Sequence, residues 1–193
     1  RVNYKVWVRG YGLVDSPKVR AKPGRQVNLT AVPAPNDAAA AHYYSAIYWF
    51  PLMKIPPAKD FGGTTDIPKE ITQDIWRQRM NNVDCIGCHQ LGQESTRTIP
   101  AAFGEFKSGE EAWMRRVASG QTGEWMVNRL AGQLGSVPFK YFGDWTDRVA
   151  RGELPKAKPP RPQGIERNVV ISSWEWATEK HFVHDLISSD RRH

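Results

Sequence analysis

The stretch Cys85-Ile86-Gly87-Cys88-His89 contains both cysteines of the 193-residue chain and places a histidine directly after the second one. On a helix, residues at positions i, i+3 and i+4 share one face, so two thiols and an imidazole can be directed at a single group. Cys-x-x-Cys-His is the spacing of covalent haem attachment, with two thioether bonds and a proximal histidine ligand to the iron. The stretch therefore predicts one covalently attached haem c, held by Cys85, Cys88 and His89.

Two other interpretations of the cysteine pair stay open. A thioredoxin-like dithiol normally follows a strand in a βαβ unit, and the residues before Cys85 show no strand-like alternation. A structural zinc site needs a second Cys or His pair at short spacing. The histidines His181 and His184 lie more than ninety residues after the motif, so both alternatives fit the sequence less well than haem attachment does.

A chain of 193 residues with 40% hydrophobic content can bury one good core, or one core and a small satellite. Its longest apolar run, around 46–53, is interrupted by Pro51. That run is far shorter than the roughly 20 residues that a membrane-spanning helix needs. We therefore expect no transmembrane segment.

The net charge of +7 results from 27 Lys and Arg against 20 Asp and Glu. The basic residues are scattered as singles and doublets such as Arg115-Arg116, without a dense run or a nucleic-acid motif. This pattern predicts a basic face that docks on an acidic redox protein or subunit, and it predicts no binding to nucleic acid.

Covalent haem attachment implies an oxidising compartment, so we expect a periplasmic or otherwise exported protein. The chain starts with Arg1 and contains no apolar signal-peptide core. We therefore expect a mature form or a fragment of something longer.

Shifts in composition divide the chain into four segments. Residues 1–34 are predicted to be a β-strand segment, and residues 35–66 a linker followed by an aromatic-rich loop. Residues 67–154 are predicted to be a helical domain that carries the motif. Residues 155–193 are predicted to be a proline-rich extension with a strand-like tail.

In the N-terminal half, alternating apolar and polar side chains predict strands over 2–9 and 26–32. The proline- and alanine-rich stretch 33–41 predicts a linker. The aromatic cluster at 43–50 is predicted to be an irregular core segment, in preference to a flap over the haem edge, because aromatic side chains are common in cores.

A helix leading into the motif is predicted to start near Pro68, with Asp66 as its N-cap. Its buried stripe consists of apolar residues at three-to-four spacing, namely Ile71, Ile75, Trp76, Met80 and Val83.

Further along, the capping box at 108–111 predicts a short helix, and Pro138 begins a last helix that Gly152 closes. The glycine-bearing stretch 120–135 is predicted to be a loop with short helical turns. The last helix has an apolar face formed by Phe139, Phe142, Trp145, Thr146 and Val149.

With Gln90 after His89 and Pro100 eleven residues beyond the histidine, the motif at the end of a helix resembles the class I c-type cytochromes. The resemblance implies a mainly α fold, with the helical domain packed around one haem and a small β element from the N-terminal strands. It also implies that the carbonyl of Pro100 accepts the second imidazole N–H of His89 and so orients the ring. The family usually has Gly-Pro-x-Leu here, whereas this chain has Thr98-Ile99-Pro100.

The second axial ligand of the iron is predicted to be Met126. It lies 37 residues after His89 in the glycine-bearing stretch, where the family places its ligand. Met80 and Met114 are instead predicted to pack in the core. The candidates that stay open behind Met126 are Met53, Met114, His42, His181, His184 and His193.

Both ends of the chain resemble parts of large periplasmic proteins with a central cytochrome domain. Residues 6–17 resemble the last strands of a carboxypeptidase-regulatory-like β-sandwich, and residues 167–190 resemble the beginning of a streptogramin-lyase-like β-propeller. The resemblance implies an electron-transfer module that exchanges electrons with a neighbouring domain or subunit. We therefore expect a single-electron carrier rather than an enzyme. The alternative is a five-coordinate haem protein with peroxidase or small-gas-binding activity.

Overall fold

The computed structural model describes residues 3–83, 90–119, 122–161 and 163–165. Helices are the predominant regular structure of these residues, and two small antiparallel sheets lie near the N-terminus. The predicted helices with a small β element are therefore present, and the class I cytochrome c fold stays a prediction. The motif at 85–89 and the strand-like tail after residue 165 lie outside the described residues. No helix in the described ranges is long and apolar enough to cross a membrane.

Four short strands form the two sheets, namely β1 (Tyr4–Val6), β2 (Leu13–Val14), β3 (Val19–Ala21) and β4 (Val32–Pro33). β1 pairs with β3, and β2 pairs with β4. The strand predicted over 2–9 is thus reduced to three described residues, and the strand predicted over 26–32 is wrong except at its last residue. Alternation does leave Val27 and Leu29 half-buried, but no described strand pairs with residues 26–31.

The α-helices of the described residues are α1 (Asp37–His42), α2 (Ala46–Trp49), α3 (Gln73–Gln78), α4 (Glu94–Arg97), α5 (Gly109–Val117), α6 (Gly123–Leu134) and α7 (Val137–Ala150). Short 3-10 turns occur at Phe50–Leu52, Ala58–Asp60 and Ala101–Phe103, and a π-helical turn at Arg79–Val83 follows α3.

Helix α1 lies in the stretch that was expected to be a linker. The side chain of Asn36 caps it by accepting a hydrogen bond from the Ala39 N–H at 2.9 Å. Four consecutive alanines, 38–41, then favour the helix through their high intrinsic propensity. The linker prediction fails there because the cap and the alanines outweigh the preceding prolines. The aromatic residues that follow do join the core, with Tyr44 and Trp49 buried, as expected. The segment is not irregular, however, because α2 and a 3-10 turn occupy residues 46–52.

Helix α3 starts five residues later than predicted. Its N-cap is Thr72, whose hydroxyl accepts from the Ile75 N–H at 3.2 Å, and not Asp66. Residues 68–71 instead form a turn closed by the Ile71 N–H on the Pro68 carbonyl at 2.9 Å. The buried stripe is confirmed at Ile71, Trp76 and Met80, with Ile75 partly buried.

Helix α6 occupies most of the stretch that was expected to be a loop. It has twelve residues, and Met126 lies in its first turn with its N–H bonded to the Thr122 carbonyl at 3.0 Å. A single glycine inside a helix, here Gly132, costs only about 1 kcal/mol. Helical spacing of Met126, Leu130 and Leu134 outweighs that cost, so the loop prediction is wrong.

The local signals for α5 and α7 are confirmed. The Ser108 hydroxyl accepts from the Glu111 N–H at 3.2 Å, while the Glu111 carboxylate accepts from the Lys107 N–H at 3.0 Å. At the end of α7, Gly152 adopts φ +97°, and the Glu153 N–H bonds to the Arg148 carbonyl. That pattern is a Schellman motif, which explains why the helix stops there.

Helices α5 and α7 cross at very short range where Gly143 faces the start of α5. A Cβ on Gly143 would lie 2.5 Å from the backbone nitrogen of Glu110. Beside this crossing Trp113 stacks on Phe142 with ring centroids 4.6 Å apart, and its indole N–H donates to the Thr146 hydroxyl at 3.1 Å. Gly143 is therefore needed for the two helices to come close enough for Trp113 and Phe142 to stack.

Gly143→Ala is expected to destabilise the chain by about 1 to 3 kcal/mol, because the added methyl group overlaps backbone that cannot move aside cheaply. Gly132→Ala is the matched control. A Cβ at that exposed position of α6 meets nothing within 4 Å, so the same substitution should stabilise by about 0.5 to 1 kcal/mol. Urea unfolding of both variants measures the difference. Equal stability of the two variants would contradict the close crossing.

Arg148 joins α7 to the chain that follows α2. Its guanidinium donates to the Asp144 carboxylate at 2.9 Å, to the Leu52 carbonyl at 2.6 Å and to the Glu153 carboxylate. Burial by itself would raise the pKa of Asp144, but hydrogen bonds from Arg148 and Lys54 outweigh it and lower that pKa. The Asp144 carboxylate is therefore ionised at neutral pH and accepts the hydrogen bond from Arg148 there.

Candidate functional site

The predicted haem site is centred on residues 85–89, which lie outside the described part of the chain. Two described segments flank it along the sequence. The π-helical turn Arg79–Val83 comes before it, and residues 90–98 come after it. The structure therefore shows which contacts fix the segments before and after the motif.

The segment before the motif is anchored on α6. Met80 is 2% exposed, and the Arg79 guanidinium donates to the side-chain oxygen of Gln133. Helix α6 also contains Met126. The Arg79–Gln133 contact therefore connects the turn before the motif with the helix that contains the predicted second ligand. A π-helical turn inside or beside an α-helix is often found at a functional site.

The segment after the motif packs directly on α2 through Gly92. This residue has φ +104°, and a Cβ on it would lie 2.2 Å from the Ala46 carbonyl oxygen. Only glycine fits such a position. The Gly92 N–H donates to the Thr96 hydroxyl at 2.9 Å, and that hydroxyl donates to the Gln93 carbonyl at 3.0 Å. Residues 92–96 thus form a hydrogen-bonded turn against α2.

Arg97 locks this turn to the rest of the chain from inside the protein. The residue is 4% exposed, and its guanidinium lies 4.3 Å from the ring centroid of Trp49. It donates to the Gly92 carbonyl at 2.9 Å and to the His42 carbonyl at 3.3 Å. Carbonyl bonds and the aromatic face offset the cost of burying this charge.

Arg116 of α5 holds the other end of the same segment. Its guanidinium donates to the Thr98 carbonyl at 2.5 Å and to the Ser95 carbonyl, and it lies 5.0 Å from the Trp113 ring centroid. Burial lowers the pKa of Arg116 to about 10, so the group is still charged at neutral pH. Two arginines therefore fix the backbone that follows the motif.

Pro100 is buried just beyond this segment. Its carbonyl accepts the Phe103 N–H at 3.0 Å in the following 3-10 turn. A carbonyl oxygen has two lone pairs, so the same atom can accept a second hydrogen bond. The interaction of Pro100 with His89 stays a prediction, since His89 lies outside the described residues.

The candidate second ligands lie in different environments. Met126 is partly buried against the core, and Met53 is buried. Met114 is 50% exposed, so its predicted core position is wrong. Trp113 and Val117 occupy the buried face of α5 and leave Met114 outside. His42 lies on the surface with Nε2 3.7 Å from a carboxylate oxygen of Glu94.

The other three candidate histidines, at 181, 184 and 193, lie outside the described residues. The described residues contain no group of three or more His, Cys, Asp or Glu side chains placed to hold a metal ion.

The core of the helical part has one feature that suits a bound haem. The indole N–H of Trp145 is fully buried and has no hydrogen-bond partner among the described residues. Buried N–H groups nearly always have an acceptor, so such a group needs an explanation. A haem propionate is an acceptor of the required kind, and Trp145 is therefore compatible with the predicted cofactor.

A basic groove of about 420 Å³ lies along β3 and the chain after it. Its lining includes Arg20, Lys22 and Arg25 together with Asn3 and Gln26, and no acidic side chain. Sequence reasoning did not identify this groove, because its three charges are separated by neutral residues and resemble any scattered basic residues. The groove is thus a basic surface without acidic lining residues.

The contacts of Arg97, which is buried, and of Arg116, which is partly buried, were also missed. Arg97 and Arg116 look like ordinary surface charges in the sequence, and charged residues are rarely buried.

Comparison with models of protein families, with curated proteins and with solved structures found no match. The haem interpretation thus depends on the motif and on the segments that flank it.

Proposed function

We propose that this chain is a single-haem c-type cytochrome that transfers single electrons between redox partners. The observation that carries the proposal is the stretch at 85–89, which joins the chain's two cysteines to a histidine at haem-attachment spacing. Cys85 and Cys88 would bind the haem covalently, and His89 would be its proximal ligand. When bound, the haem supplies an iron that gains and loses one electron.

Two further residues complete the proposed site. The Pro100 carbonyl would accept the Nδ1–H of His89 and hold the imidazole in one orientation. The Met126 thioether would be the second axial ligand, and a His/Met pair raises the reduction potential relative to two histidines. The proposed fold around this site, over 67–154, is that of a class I cytochrome c. The buried Trp145 N–H, which has no partner among the described residues, supports the binding of an acceptor such as a haem propionate by this helical part.

We further propose a periplasmic or otherwise exported location, because covalent haem attachment requires an oxidising compartment. The partner would be a redox protein or subunit with an acidic docking surface. The net charge of +7 and the basic groove at Arg20, Lys22 and Arg25 support this choice. The resemblance of both chain ends to domains of larger periplasmic proteins supports a neighbouring domain as one such partner.

One observation favours a second function. Met126 lies in a helical turn and not in the loop that was expected, so its thioether is less free to reach an iron. If no side chain occupies the second axial position, the chain would be a five-coordinate haem protein with peroxidase or gas-binding activity.

Carbon monoxide separates the two functions. We expect the spectrum of the reduced protein to change little within minutes of adding carbon monoxide, because an electron carrier keeps both axial positions filled. Stopped-flow absorbance on the haem-loaded chain measures the rate. Rapid and complete binding would reject the six-coordinate carrier in favour of the five-coordinate alternative.

A further inference from the structure

Arg97 combines three features that are unusual for an arginine. It is almost completely buried, and it stacks on Trp49. It also donates to two backbone carbonyls, that of Gly92 five residues before it and that of His42 in a distant part of the chain. Arg97 has no role in electron transfer as proposed above. Its position along the chain, eight residues after the proposed iron ligand, points to one.

Covalent geometry limits how far this charge can be from the proposed proximal ligand. Gly92 is three residues after His89, so their Cα atoms are at most about 11 Å apart. The Arg97 guanidinium lies 2.9 Å from the Gly92 carbonyl oxygen. Adding the Cα-to-oxygen distance places the charge within about 16 Å of the His89 backbone.

A positive charge at that distance favours the reduced iron, which carries one positive charge fewer than the oxidised iron. The effect is screened by water for exposed charges, but much less for a buried one. Of the basic side chains arginine holds its proton most firmly, so its charge is kept at neutral pH. Its carbonyl bonds and the aromatic face hold the guanidinium in one place, so the field that it produces is constant.

We propose that Arg97 is a positioning residue that raises the reduction potential of the haem and fixes the backbone after His89. This inference rests on the proposed haem site and adds a residue that sets its potential. The limit on the His89 backbone allows a separation of about 15 to 20 Å between the charge and the iron. At that separation and an effective dielectric of about 20, removal of the charge should change the equilibrium constant for reduction by about fivefold. A fivefold change corresponds to about 40 mV for a one-electron couple.

The test begins with the intact mass of each variant, which shows whether haem is attached. Arg97→Gln should keep the haem and lower the reduction potential by about 40 mV, measured by spectroelectrochemistry. Arg77→Gln is the control. Arg77 lies twelve residues from His89 on α3, but it is half-exposed and paired with Asp74, so its removal should leave the potential unchanged.

A second variant, Arg97→Lys, distinguishes the effect of the charge from the effect of side-chain packing. It also tests the proposal if Arg97→Gln does not fold. Burial lowers the pKa of a lysine, and because the pKa of lysine is lower than that of arginine to begin with, a buried lysine loses its proton at a lower pH. The potential of Arg97→Lys should therefore fall below that of the unmodified chain at alkaline pH and approach it at acidic pH. A purely structural role for Arg97 would move the melting temperature but not this pH profile.

The outcomes distinguish this inference from the function on which it rests. If haem is attached and Arg97→Gln or Arg97→Lys matches the potential of the unmodified chain at every pH, the role of Arg97 is rejected and the cytochrome stands. If the unmodified chain carries no haem, the proposed function itself fails, and the role of Arg97 is rejected with it.

Discussion

Replacing Cys85 and Cys88 together with serine is expected to abolish covalent haem attachment completely. Thioether bonds form from thiols, and a serine hydroxyl does not form them. The unmodified chain, exported by a host that matures c-type cytochromes, should have a mass above 21.9 kDa by one haem, and denaturation should not remove it. The double variant should have the mass of the polypeptide alone. Intact-mass spectrometry under denaturing conditions measures both.

The control for this prediction is Gln90→Ala, which changes the residue next to the motif but none of the three attachment residues. It should keep the added mass. The zinc and dithiol interpretations give different results for the unmodified chain. A zinc site would show the polypeptide mass and stoichiometric metal under native conditions, and a dithiol would form a reversible disulfide. Either result would reject the haem site.

Replacing Met126 with alanine is expected to lower the reduction potential by on the order of 0.1 V, within the range of about 0.8 V that axial ligands span. The thioether stabilises the reduced iron, and alanine has no atom that can replace it. The axial position then opens, so the reduced variant should bind carbon monoxide quickly. Redox titration and the carbon monoxide spectrum measure the two effects on the same sample.

The control for Met126 is Met114→Ala. Met114 is half-exposed on α5, so its removal should leave the potential and the spectra unchanged. Met53→Ala tests the next candidate. Met53 is buried, and it follows Leu52, whose carbonyl accepts a hydrogen bond from Arg148. If Met53→Ala alters the spectra and Met126→Ala does not, the ligand is Met53 and the prediction for Met126 is wrong.

Elements with strong local signals were predicted correctly. The capping box at Ser108 and Glu111 and the glycine stop at Gly152 involve hydrogen bonds between residues three to five positions apart, so the sequence contains both partners within one turn. Helices α1 and α6 were missed because proline or glycine nearby suggested irregular structure. For α1 the Asn36 cap and the four alanines outweigh the prolines, and both signals are local. For α6 the apolar spacing of Met126, Leu130 and Leu134 against the core outweighs the glycines, and that packing is not part of local propensity.

The sequence by itself determined the chemistry that the chain can offer, because two cysteines and a histidine at fixed spacing are a covalent property of residues 85–89. Only the tertiary structure decided that Arg97, eight residues after that stretch, is buried. Arg97 reaches the His42 carbonyl across 55 residues, and Gly92 meets the Ala46 carbonyl across 46. Burial depends on partners that are distant in the chain, and no local pattern around Arg97 distinguishes it from an arginine at the surface.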